Sequence, residues 1–237
     1  MATVTPRTKK DDPDEEIPPL ESGDQLSRAE FERRYDSMPG LKKAELIEGK
    51  VIVPSPVRLN QHGRPHFRLI TWLGIYEGAT PGVIGADNTS IRLDLDNEPQ
   101  PDVCLFTDPV KGGQAKISPD DYVDGAPELV AEVASSSVSY DLHVKLEVYR
   151  RNGVREYLVW RVWDREIDWF MLKRRKYVKL PLDENGLYRS EVFPGLWLDP
   201  AALIRGDATA LQAALHRGLA SPEHAAFVAK LNPKPNP

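Results

Sequence analysis

The stretch from Glu128 to Trp160 constrains this chain more than any other. It reads ELVAEVA, then DLHVKLEVYRRNG, then REYLVW: a short apolar run, an amphipathic helix, and a second apolar run. That order is a βαβ-type signature and implies a mixed sheet in an α/β fold. The helix stops at Asn152-Gly153, where glycine readily takes the left-handed exit. Further strands are expected in VIGAD, SIRLDL and DVCLF, and a pair around Glu48-Gly49 in AELIEGKVIV. EIDWFML and KYVKLPL read as a hairpin turning at KRR. Ser27, with Glu30 three residues on, marks the start of a short helix reaching about Tyr35. A longer amphipathic helix is expected from His62 to Tyr76, with Phe67, Ile70, Trp72 and Leu73 inward. KGGQAKISPDDYVDGAP reads as a loop from its Gly, Pro and Asp content. From about Asp199 the chain turns helical, with Asp207 and Ser221 as N-caps and Pro222 in a tolerated first-turn position.

Charge leaves the partner open at first sight. The net charge of −5 argues against nucleic acid, but residues 1–24 alone contribute −4, so the remaining body is near neutral. Those first 24 residues have almost no large apolar side chain and are expected to be a disordered acidic tail. No apolar run approaches the ~18 residues of a membrane span, and no apolar segment follows the N-terminal positive charges as in a secretory signal. Cys104 is the single cysteine, which excludes an internal disulfide and zinc-finger spacing. A cytoplasmic location is the default expectation.

Three residues break the pattern around them. Asp102 follows Pro101 and opens the run VCLF. Glu132 is an acid inside an otherwise apolar strand, where a bare charge is very costly unless paired, metal-bound or neutralised. Lys145 stands with Leu142, Leu146 and Tyr149 on the helix stripe that should face the core. Two carboxylates on neighbouring strands could share a hard cation such as Mg²⁺ or Mn²⁺. A lysine brought over the strand end could then orient a water or offset phosphate charge, which outlines metal-assisted phosphodiester hydrolysis.

QPDVCLF, PELVAEVASSS, DLHVKLEVY and GVREYLVW, preceded by ELIEG, together resemble the bacterial Uma-two family of the PD-(D/E)XK endonuclease superfamily. The resemblance covers about Glu45 to Val162. It implies a restriction-endonuclease-like mixed sheet flanked by helices, with Asp102 and Glu132 as metal-binding acids. The superfamily lysine would lie two residues after Glu132, where this chain has Ala134. The resemblance therefore implies a migrated lysine matching Lys145, and an additional acid from ELIEG, either Glu45 or Glu48. The domain layout expected is the tail at 1–24, a nuclease domain at 25–198 and a small C-terminal helical extension at 199–237. DNA is the expected partner, and cutting both strands would suggest a homodimer.

Taken singly, each residue has a duller explanation. Asp102 could cap a turn, Glu132 could sit in a structural ion pair, and Lys145 could pair with Asp141 on a solvated face. A non-catalytic DNA-binding or protein-interaction module on the same fold is accordingly the alternative function. His62 and His66 are four apart, but Gly63 follows His62, Pro65 intervenes and no third ligand is evident, so a zinc site is disfavoured. His62 could instead line the cleft. Cys104 reads as buried and structural. The run Lys173 to Lys176, with Lys179 beyond, reads as a solvated hairpin turn, and Trp160, Trp163, Trp169 and Trp197 as packing residues.

Overall fold

A six-stranded sheet in the order β11-β10-β9-β8-β5-β3 organises the protein. Its strands are β3 (Val83–Asp87), β5 (Val103–Thr107), β8 (Leu129–Ala134), β9 (Glu156–Arg161), β10 (Glu166–Lys173) and β11 (Lys176–Lys179). The structure, a computed structural model, describes residues 17–233. β8 and β9 run parallel, and every other neighbouring pair in this sheet is antiparallel. The parallel pair is the βαβ unit, and its crossover returns through α3 (Val138–Tyr140), a wide turn at Asp141–Lys145 and α4 (Leu146–Asn152). Gly153 closes the crossover at φ 89°, where its missing Cβ removes the steric penalty.

Alternation along the strands divides the core. Val103, Leu105, Leu129, Ala131 and Val133 face one layer, where α2 (Arg64–Ala79) contributes Leu69, Trp72, Leu73 and Tyr76. The C-terminal helices α5 (Pro200–Arg205), α6 (Ala208–Leu219) and α7 (Pro222–Leu231) bury Ala202, Leu203, Leu211, Leu215 and Leu231 in that same layer. Asp207 and Ser221 cap their helices with their side chains as expected, and Asp199 caps α5 in the same way. The opposite face carries Cys104, Phe106, Val130 and Ala134, packed with Tyr149, Val154 and Tyr157. Asp102 and Glu132 share the parity of this second face.

Several expectations change on contact with the fold. The long helix begins at Arg64, after an i→i+5 turn at Leu59–Gly63 in which Gly63 N–H reaches the Arg58 carbonyl. Phe67 is exposed, because Leu69, Trp72, Leu73 and Tyr76 set the buried stripe one step around the helix. The expected loop at 111–127 contains two short strands, β6 (Lys116–Ile117) and β7 (Val123–Asp124), which form a small sheet with β4 (Ile91–Arg92). Trp163 lies exposed in the β9–β10 turn, whereas Trp169 packs edge-on against Trp72 with ring centroids 5.9 Å apart.

Of the expected disordered tail, residues 1–16 lie outside the described residues. Residues 17–24 are placed against the fold. Leu20 is buried beside Phe31 and Leu46, and Gly23 N–H donates to the Val51 carbonyl at 2.9 Å. One leucine suffices to anchor this piece. The Glu48-Gly49 pair turns the hairpin between β1 (Glu45–Ile47) and β2 (Lys50–Ile52), both residues adopting positive φ as a tight two-residue turn demands. α1 (Arg28–Asp36) starts at Ser27, whose Oγ accepts from Glu30 N–H.

Candidate active site

Register brings the two acids together. Val103 pairs with Ala131 across antiparallel β5 and β8, so Asp102 and Glu132, one step outward, stand opposite each other on one face. Directly opposed residues place their Cβ atoms about 5 Å apart. The contacts are reciprocal: Asp102 N–H donates to Glu132 Oε2 at 3.3 Å, and Val133 N–H donates to Asp102 Oδ2 at 2.8 Å. Both side chains are buried.

The helical crossover returns over this strand pair and delivers the lysine. Lys145 Nζ lies 2.9 Å from Glu132 Oε1 and 2.8 Å from Glu45 Oε1. Tyr149, one turn further on, donates its hydroxyl to Glu132 Oε1 at 3.0 Å. Glu45, on β1, is fixed by Gln100 N–H at 2.8 Å. Glu48 does not join the cluster. Its left-handed backbone at the hairpin turn sends its side chain to Arg151 at the surface. The i, i+4 partner Asp141 does not take Lys145 either, since its carboxylate accepts from Ser137 Oγ at 2.6 Å. The wide turn at Asp141–Lys145, where Leu146 N–H reaches the Asp141 carbonyl, helps set Lys145 inward.

Asp102 collects cationic partners that its sequence neighbourhood does not announce. His62 Nε2 lies 3.3 Å from Asp102 Oδ1, and Lys43 Nζ lies 3.4 Å from the same oxygen. His66 Nε2 lies 2.8 Å from the Asp102 backbone oxygen. The His62/His66 spacing thus brings both imidazoles to one aspartate. Lys43 is two residues from Glu45, and nothing in its local pattern marks it.

Electrostatics follow from burial and partners. Burial raises the Asp102 carboxyl, but the His62 hydrogen bond and the Lys43 charge outweigh it and hold Asp102 well below the usual range. Burial pulls the His62 imidazolium down, and the hydrogen bond and charge of Asp102 more than restore it, for a net upward shift. Burial pushes Glu132 up to about 8, against the opposing charge of Lys145. Lys145 loses hydration too, yet Glu132, Glu45 and Asp141 keep its ammonium charged, well above its ordinary value. The donor chemistry suits a hard cation: two carboxylates, with the rest of the shell left to water and phosphate, is what Mg²⁺ usually takes. Among the described residues, no three or more His, Cys, Asp or Glu side chains gather closely enough to form a full protein cage.

Glu98, four residues before Asp102, is buried, and neither carboxylate oxygen accepts a hydrogen bond. Burial first, then the neighbouring Glu32 carboxylate, push it up to about 8. A raised folded pKa stabilises fully below the unfolded value near 4.5 and loses that contribution as pH rises to about 8. Glu98→Gln should therefore gain on the wild type as pH rises, by on the order of 2 kcal/mol at pH 8. Thermal melts at pH 5 and pH 8 check this, and a difference that ignores pH would contradict it.

The chain is similar to the crystal structure of a protein from Anabaena variabilis ATCC 29413 described as "a putative nuclease belonging to DUF820". The TM-score is 0.50 at 12% identity, covering 73% of this chain and 97% of that one. No curated protein matches the sequence. The profile of the Uma2 family, described as "Putative restriction endonuclease", matches residues 28–201. The chain belongs to the Uma2 family, and its fold is the expected α/β, restriction-endonuclease-like mixed sheet with C-terminal helices. No helix among the described residues is long and apolar enough to cross a membrane.

Proposed function

We propose that this protein is a Mg²⁺- or Mn²⁺-dependent DNA endonuclease whose site is Asp102, Glu132, Lys145 and Glu45. One observation carries the reading: Asp102 and Glu132 stand side by side across β5 and β8, with Lys145 Nζ 2.9 Å from Glu132. A buried acid is common enough, but two opposed acids with a lysine supplied by the following helix are hard to explain as packing. When bound, the cation supplies Lewis-acid chemistry for phosphodiester hydrolysis. Asp102 and Glu132 would hold it.

The chain's own groups do the rest. Tyr149 and Lys145 fix Glu132 Oε1, while Asp102 N–H fixes Oε2. Val133 N–H holds Asp102 Oδ2, which leaves Oδ1 facing His62 and Lys43. Lys145 places a desolvated positive charge beside both glutamates, where it can orient an attacking water or offset charge on the phosphate. Domain limits of 25–198 for the nuclease unit and 199–237 for the extension complete the proposal. A homodimer would let one assembly cut both strands.

The test is incubation of the purified chain with supercoiled plasmid and Mg²⁺ or Mn²⁺, beside Glu132→Gln. Nicked or linear product from the wild type, reduced at least about 100-fold in the variant, is expected. Equal cleavage by both proteins would assign the activity to a contaminant. Absence of cleavage with either cation would favour the non-catalytic alternative.

A further inference from the structure

At the end of the sheet that carries Asp102 and Glu132, but on its α2 face, lies a polar pocket of about 140 Å³, lined by Asn60, Arg64, Arg68, Trp160 and Arg165 among others. Three guanidiniums reach this one concavity from two separate elements. Arg64 and Arg68 are on the first turns of α2, and Arg165 is on the turn between β9 and β10. None of the three has a carboxylate partner among the described residues, and Arg64 has only a long 3.5 Å hydrogen bond to Asn60. The nearby acids are otherwise engaged: Asp164, Glu166 and Asp168 all pair with Arg161, and Lys179 also holds Asp168. Asp207, which borders an adjoining groove with Arg68, caps α6 through Ala210 N–H.

Like charges converging without a counter-ion repel one another, so the arrangement gains most when an anion is bound. Arginine is suited to a phosphate, which it can grip with two parallel N–H donors. The Arg68 guanidinium lies close over the Gly206 backbone. A Cβ on Gly206 would lie 2.2 Å from Arg68 Nη2, and Gly206 also has φ +76°. Trp163, 65% exposed, is in the same turn as Arg165 and offers a flat face for stacking on a base or sugar.

The pocket also lies on the correct edge of the sheet. The start of α2 carries both groups: His62 and His66 reach Asp102 from one side of it, and Arg64, two residues from each, lies around the helix from them. Arg161, which leads into the Arg165 turn, is in register with Ala134, two residues beyond Glu132. We propose that Arg64, Arg68 and Arg165, with Trp163 in the adjoining turn, form a subsite for the DNA phosphodiester backbone at the same end of the sheet as the cleavage position. The subsite deepens the nuclease reading and rests on it for the identity of the anion. It holds the strand so that a neighbouring phosphate meets Asp102 and Glu132.

The experiment separates the two ideas by measuring binding without cleavage. Fluorescence anisotropy of a labelled DNA duplex is followed in EDTA across a salt series, using the full chain. The double variant Arg64→Ala/Arg165→Asn removes two guanidiniums, with asparagine chosen because Arg165 has φ 56°. A control, Arg174→Asn/Arg175→Asn, removes the same charge from the hairpin at the far end of β10. The pocket variant should bind at least about tenfold more weakly than the control, and its salt slope should fall by about 2, near 0.9 per phosphate contact. Equal losses in both variants, or no measurable binding by the wild type, would overturn the subsite. Plasmid cleavage reports separately on the nuclease. A wild type that cuts, with pocket variants that bind like it, sinks the subsite alone. Pocket-dependent binding by a chain that cuts nothing supports the subsite and sinks the nuclease reading.

Discussion

Lys145→Ala is expected to lower plasmid cleavage by at least about 100-fold, the loss typical of removing one preorganised charge from a water-poor site. The same variant should lose stability in a pH-dependent way. Lys145 Nζ bridges Glu45 and Glu132, and all three groups are buried. Removing one member of such a cluster leaves charges without a counter-charge, at about 3 kcal/mol or more. Glu132 and Asp141, both already raised by burial, can relieve this only by taking up protons. Their folded pKa values then rise further above the unfolded ones, so the variant loses stability as pH rises. In the wild type the raised Lys145 keeps its own contribution throughout, since that is lost only above its ordinary value of 10.5. The deficit should therefore be small at pH 5 and large at pH 8. Thermal melts read this, and Mn²⁺ calorimetry with the folded variant should still detect binding by Asp102 and Glu132, with release of the Glu132 proton to the buffer. Wild-type cleavage by Lys145→Ala would remove lysine from the mechanism, even if the stability loss appeared as expected.

Burial of an acid within a strand was legible in the sequence, but by itself it did not single out a site. Glu128 and Glu156 are equally buried on or beside the same two strands. Glu128 accepts from Thr107 and Gln114 N–H, and Glu156 binds Ser190 Oγ and the Glu191 and Val192 N–H groups. Both tie loops down. Glu132 differs because a lysine on the helix stripe returns to it, and that stripe was readable from 3.6-residue spacing. Which acid of ELIEG comes inward was not readable, because it depends on Glu48 occupying the left-handed turn position. Lys43 and the two histidines were also beyond local reading. Their meeting with Asp102 is set by how the start of α2 and the segment leading into β1 pack over the sheet edge, across 36 to 59 residues of chain. The helix phase failed at Phe67 for a related reason. Several faces of α2 are apolar enough to be buried, and the C-terminal helices decide which one is covered.

Asp102→Asn is the second change with a large expected effect, and it reads out at three places. Cation affinity should fall at least about tenfold, since even the loss of an outer partner of a metal site costs that much, and cleavage should fall with it. His62 should titrate lower, because the Asp102 hydrogen bond and charge are what lift it above its usual value. Two-dimensional NMR of the imidazole resonances across pH measures this directly, without any metal. Stability should follow the same pair of groups. Asp102 has a depressed folded pKa, so its contribution is present above about 3.8 and lost in acid. His62 has a raised one, so its contribution is complete below 6.5 and fades as pH climbs through the folded value. The variant should thus be weakest relative to the wild type near pH 5 to 6, with a smaller deficit at pH 8, where Lys43 still faces the carboxylate in the wild type. A His62 titration unchanged by the substitution would show that Asp102 and His62 are not coupled in solution. Undiminished cleavage would show that Asp102 is not among the groups that hold the cation.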